Sequence, residues 1–203
     1  MAALTSITGL LPRVRMRCPE PKVEDNIALG VLRTVIRQFA MRTTIWRKTI
    51  PITTVADQDN YTLTPTSGTK VNHIHRVVQL NDDDAEMTDH PDTAYYLDIE
   101  NQKIIFETGY VPNEAGDTIN VIVSLRPEWQ ATNSVFPEWI LDRWGDGLAG
   151  GAAVEILLNH PWNTKASAAA LDRSRREFNG AIIDAKRYIE HQGTTRSTGI
   201  TPV

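Results

Sequence analysis

The chain has 203 residues, 41% of them apolar and 23% charged, with a single cysteine and a formal net charge of −4. A chain of this length buries roughly 70% of the surface it exposes when unfolded, so it forms a core without metal, and Cys18 alone admits no intrachain disulfide. Its longest uncharged stretches reach about a dozen residues, short of the ~18 that a membrane span needs, and MAALTSITGLLPRVR carries its arginines after its apolar residues, the reverse of a secretory signal, so a cytosolic origin with no membrane contact is expected.

The charge is segregated along the chain. Residues 1–48 hold 9 Lys+Arg against 3 Asp+Glu, a net of +6. Residues 49–160 hold 5 against 18, a net of −13, and residues 161–203 hold 7 against 4, a net of +3. Distinct surfaces with distinct partners are one reading of such a pattern, and solvated faces are the other.

Residues 1–21 read as a basic, extended arm in which Arg13, Arg15 and Arg17 alternate and project from one side. From about Lys22 to Trp46, Ile27, Val31, Leu32, Val35, Ile36 and Phe39 recur at spacings of three and four, which predicts an amphipathic helix. Pro21, Glu24 and Asp25 supply its start and complement the helix dipole. From Lys48 the pattern changes to short runs rich in Ile, Val, Thr and Tyr, predicting antiparallel strands near 48–55, 60–64, 70–80, 94–99, 103–107 and 118–126. YYLDIENQKIIFE is a hairpin by this reading, turning at Glu100, Asn101 and Gln102, and NDDDAEMTDHPD is a solvated loop.

Pro137 opens a second helix with Ile140, Leu141, Trp144, Leu148 and Ala152 on its stripe. The small residues of its second half, Gly150 and Gly151 with Leu148 and Trp144, are candidates for close packing against another helix or a neighbouring subunit. A third helix is predicted from about Thr164 to His191, carrying Leu171, Phe178, Ile182, Ala185 and Ile189, with Gly193 as its cap. Residues 193–203 lack periodicity and read as a mobile tail. The fold class is therefore α+β: a bundle of three main helices, from residues 22–47 and 130–192, with an antiparallel β subdomain at 48–129 inserted between them.

Chemistry-bearing patterns are few. Gly145, Gly147 and Gly150 match GxGxxG, but no strand precedes them and WILDRW has helical periodicity, so helix packing is the favoured reading. His73 and His75 alternate on a strand and His90 follows the acidic loop, yet that loop has nothing apolar to hold ligands rigid. Cys18 lies in the arm and no serine sits in a GxSxG turn, so neither a catalytic centre nor a cofactor is expected. The arm's arginines are candidates for phosphate or for an acidic protein neighbour, and the lack of interleaved aromatics favours protein.

Taken together, IRQFAMRTTIWRKTIPITTVADQDNYTLT, then FPEWILDRWGDGLAGGAAVEILLNHPW and SRREFNGAIIDAKR, resemble the head-to-tail adaptor proteins of tailed bacteriophages, nearest to the tail tubular protein A or adaptor proteins of short-tailed phages. The resemblance runs over about residues 22–190; the NDDDAEMTDH loop and the N-terminal arm depart from it.

It implies a non-enzymatic virion protein that forms a ring of about twelve identical chains, joins the portal to the tail nozzle or other tail proteins, and extends the channel for double-stranded DNA. The portal contact is then expected from the tail, at Thr194, Thr195, Arg196, Ser197, Thr198, Ile200 and Val203. Asp82, Asp83, Asp84, Glu86 and Asp89 become candidates to face the channel, where copies of the acidic middle would sum to roughly 150 negative charges and repel DNA. A DNA-binding packaging factor using Arg13, Arg15 and Arg17 is the alternative.

Overall fold

The computed structural model describes residues 3–18, 23–80, 87–129, 135–159 and 165–196. The chain divides into two units, one made of residues Met1–Ile45 with Trp129–Val203 and the other of Trp46–Glu128. With helices and antiparallel sheets in one chain, the fold is α+β.

The first unit opens with strand β1, Leu4–Ser6, followed by a 3-10 turn at Ile7–Leu10 and helix α1 at Leu11–Arg17. The arm read as extended is thus helical. Its alternating arginines masked an apolar stripe at Ile7, Leu10, Val14 and Cys18, spaced at three and four residues and buried throughout. Pro12 in the first turn of α1 costs no hydrogen bond there. Helix α2 spans Asp25–Thr43 and stops where Thr44 takes a left-handed conformation, φ 51°, donating its N–H to Ala40 O. The predicted stripe is buried at Leu32, Val35, Ile36 and Phe39, whereas Ile27 is exposed.

Strand β9, Val135–Pro137, pairs antiparallel with β1 in the register Thr5 to Phe136 and leads into helix α3, Glu138–Asn159. Helix α4 runs Lys165–Arg196. It passes through Gly193 rather than ending there, since a glycine near a helix end permits a stop without enforcing one. Leu148, Phe39, Ile140 and Phe136 are fully buried at the centre of this unit, and burying each such side chain contributes about 1.5–3 kcal/mol. No described helix is long and apolar enough to cross a membrane.

The described residues of the second unit form strands and one 3-10 turn at Asp92–Ala94. Strands β2 (Arg47–Thr53), β4 (Thr69–Leu80), β5 (Met87–His90) and β8 (Thr118–Pro127) form one antiparallel sheet in the order β2-β8-β4-β5. Strands β3 (Asn60–Thr62), β6 (Tyr95–Asp98) and β7 (Lys103–Phe106) form another in the order β3-β7-β6. Alternation puts Ile119, Val121, Val123 and Leu125 of β8 on the buried face. They share a core with Tyr61, Tyr95, Ile104 and Phe106 from the smaller sheet.

In the β6–β7 hairpin Asp98 accepts hydrogen bonds from the N–H groups of Glu100 and Asn101, and Gln102 adopts φ 54°. The Gln102 side chain then reaches the other sheet, its Oε1 accepting from Val71 N at 2.6 Å. Strand β5 lies where the sequence reading placed a solvated loop; only four residues long, it carries too short an alternation to announce itself against an acidic background.

Candidate functional site

The feature most relevant to the functional reading is where the basic arm's charges go. In an extended chain Arg13, Arg15 and Arg17 would share a side, but on α1 only Arg13 and Arg17, four apart, do so. Arg17 donates through Nε to Glu177 Oε2 on α4 at 2.7 Å and through Nη2 to Asp146 Oδ1 on α3 at 3.3 Å. Arg13 approaches the same Asp146 oxygen at 3.5 Å. Arg15 pairs with Asp25 at the start of α2. The side chain of Arg17 is 18% exposed and that of Glu177 26%, while the side chains of Arg13, Arg15 and Asp146 are well exposed.

Glu177 also accepts from Arg173 Nε at 3.0 Å. Burial works to raise its pKa, but the hydrogen bonds from Arg17 and Arg173 outweigh it and hold the carboxyl below its ordinary value. The sequence reading missed Glu177. Its signal was positional: it lies three residues after buried Ser174 and four before buried Ala181, so a carboxylate sits on the edge of α4's inward stripe, where it needs a partner.

The small-residue segment of α3 is occupied within the chain. A Cβ on Gly147 would stand 2.3 Å from Ala181 Cβ, one on Gly150 would stand 3.0 Å from Ser174 O, and one on Gly151 would meet Phe178 and Val35 at 2.7 Å. Trp144 and Leu148 are buried, and the Trp144 Nε1–H donates to Asp184 Oδ2 at 2.9 Å. Trp144, Leu148, Gly150 and Gly151 are thus buried within the chain, with Gly150 against α4 and Gly151 against both α2 and α4. Around Trp144 gather Trp139 and Tyr188, with the Arg143 guanidinium 4.4 Å over the Tyr188 ring.

In the β unit, Asp89 lies on β5 and not in a loop. It accepts from Arg76 Nε at 2.7 Å and from Arg76 Nη2 at 2.6 Å, and this fork holds its carboxyl below the usual range. Asp82, Asp83, Asp84 and Glu86 lie outside the described residues. The rings of His73 and His75 meet edge to face at 4.8 Å, across two irregularities in the β4–β8 register. Burial, then Arg47 and His73, push the His75 pKa down to about 4. Among the described residues no group of three or more His, Cys, Asp or Glu is placed to hold a metal ion. Cys18 is buried at the end of α1 and desolvation pushes its thiol up to about 11. Of the tail candidates, Thr194, Thr195 and Arg196 belong to the last turn of α4, and Ser197, Thr198, Ile200 and Val203 lie outside the described residues.

No curated protein matches the chain. A solved structure titled the neck of an empty GTA particle, computed with C6 symmetry, is similar at 17% identity and a TM-score of 0.32, covering 85% of this chain and 94% of that one. The family model described as SU10 adaptor protein matches residues 5–202. The chain belongs to the SU10 adaptor protein family.

Proposed function

We propose that this chain is a structural subunit of the virion that assembles into a head-to-tail adaptor ring, expected to be dodecameric, binding the portal on one side and tail proteins on the other and extending the channel through which DNA is retained and later ejected. The observation that carries this reading is membership of the adaptor family over residues 5–202, which include every described helix and all the described strands but the first residue of β1. In this reading the C-terminal segment 193–203 reaches the portal, and the acidic segment around Asp82, Asp83, Asp84, Glu86 and Asp89 faces DNA.

The internal pairing of Arg13, Arg15 and Arg17 supports a protein rather than a nucleic-acid role. Their nearest carboxylates are Asp146, Asp25 and Glu177 of the same chain, so phosphate binding would first have to displace these. The test is the mass of the purified chain, alone and mixed with its portal protein. Assembly into a closed oligomer, or onto the portal, is the expected result; a monomer that ignores the portal overturns the reading. Removing residues 193–203 is expected to abolish portal binding while leaving the fold intact.

A further inference from the structure

Two faces of the helix unit carry exposed charges of opposite sign, Arg37 on α2 and Glu138 and Asp142 on α3, that form no ion pair among the described residues. Between Asp25 and Asp57 there is no carboxylate, and α2 carries Arg33, Arg37 and Arg42 in that interval. Val35 and Phe39 of α2 face α3, through Gly151 and Trp144 respectively. Arg37 stands two residues from each, turned roughly 160° away from that seam. It is exposed and forms no ion pair among the described residues. Met41 lies one turn beyond it on the same face, 41% exposed, and Ile27, 43% exposed, lies toward the start of the helix, about 15 Å away along its axis. Between them is Gly30, a helix-interior glycine that weakens α2 although nothing lies within 4 Å of where its Cβ would be.

On α3, Glu138, Asp142 and Asp146 recur at intervals of four and so line one side of the helix. Asp146 is engaged by α1, whereas Glu138 and Asp142 are exposed and form no ion pair among the described residues. Trp139 sits next to them, 36% exposed. Trp144 and Gly151 face α2, which turns Asp142 roughly 160° away from it. The basic face of α2 and the acidic face of α3 therefore look in opposite directions from one seam.

We propose that the α2 face of one copy docks on the α3 face of the next, with Arg37 set against Glu138 and Asp142 and with Met41 packed on Trp139. This rests on the ring reading above and specifies its subunit contact. Two different faces pointing oppositely make a head-to-tail interface: each copy offers one and receives the other, so association continues until a ring closes. Charge complementarity sets register and partner, and an arginine beside a half-exposed tryptophan is the composition that dominates binding at such contacts.

The test uses the full-length chain, with and without portal protein, and measures the mass distribution of the wild type, of Arg37→Glu, and of the double variant Glu138→Lys/Asp142→Lys. The wild type is expected to assemble, and each variant alone to lose assembly at least tenfold at the same concentration, with an unchanged melting temperature. An equimolar mixture of the two variants is expected to regain it, because in an alternating ring each reversed α2 meets a reversed α3. Variants that assemble like the wild type, or a mixture that stays unassembled, overturn the interface while leaving the ring. A wild type that never assembles overturns the ring reading and the interface with it.

Discussion

Arg17 on the N-terminal helix donates to Glu177 on α4 at 2.7 Å across 160 residues of sequence, and both side chains are largely shielded from water. A half-buried, hydrogen-bonded ion pair of this kind resists truncation more than a surface pair does, because removing one member strands the other in low dielectric.

Arg17→Ala is accordingly expected to destabilise the chain by about 1–3 kcal/mol in urea unfolding, and Arg15→Ala, whose partner Asp25 is well exposed, by less than about 0.5 kcal/mol. The Arg17 effect has a pH signature. Glu177 titrates below its ordinary 4.5 in the folded chain, so its contribution is present above that value and is lost as the pH falls through the lower, folded one. Equal losses for the two arginines would show that the pairing with Glu177 does not hold α1 in place.

Two glycines give opposite expectations. Gly147→Ala puts a methyl 2.3 Å from Ala181 Cβ, a contact with a neighbour too short to swing aside, and is expected to cost about 1–3 kcal/mol. Gly180→Ala, in the interior of α4 with nothing within 4 Å, is expected to stabilise by about 0.5–1 kcal/mol. Thermal melts of the two variants check this, and a neutral Gly147→Ala would mean that α3 and α4 are not in such close contact.

Acidification is expected to weaken the β unit through His75. Its folded pKa of about 4 lies below the ordinary 6.5, chiefly from burial, with Arg47 and His73 adding to the effect. The unfolded chain thus binds a proton between those values that the folded chain refuses, so the contribution of His75 is constant above pH 6.5 and falls toward pH 4. Allowing for partial exposure, the loss is on the order of 2 kcal/mol. His75→Gln should remove that part of the slope in urea unfolding at pH 7 and 4.5; a variant whose pH profile matches the wild type would show that His75 plays no part.

Cys18 should behave as an inert thiol. With its pKa pushed to about 11, about one molecule in a thousand carries the thiolate at pH 8, and the sulfur is shielded besides. Labelling by a disulfide reagent is expected to be slow in native buffer and to accelerate steeply in urea, tracking the opening of α1. Immediate stoichiometric labelling would contradict the packing of that helix.

The elements visible in the sequence were those whose periodicity ran long enough to rise above their surroundings. The stripe through Val35, Ile36 and Phe39 and the alternation through Val121, Val123 and Leu125 each persist for several repeats, and both appear as read. Helix α1 was hidden because two periods coincide in it: arginines at every second residue suggested a strand, while Ile7, Leu10, Val14 and Cys18 kept helical time. Strands β1, β5 and β9 have three or four residues, too few to show a period; β1 and β9 become strands through a partner distant in sequence, as Thr5 is to Phe136, and β5 through the neighbouring β4. The candidate contacts divide similarly. The charge on Arg17 was plain from composition, but its neutralisation by Glu177 is a product of tertiary structure, and no local pattern states which carboxylate an arginine will meet.

The pairing of β1 with β9 has a consequence for how the molecule is made. Leu4–Ser6 leave the ribosome well before their ladder partners Val135–Pro137 and before Glu177, the anchor of α1. The β unit is one uninterrupted stretch and holds everything it needs by Glu128. Biogenesis should therefore be ordered, with the strands settling while the amino-terminal segment waits, and with the helix unit closing only after α4 has left the ribosome.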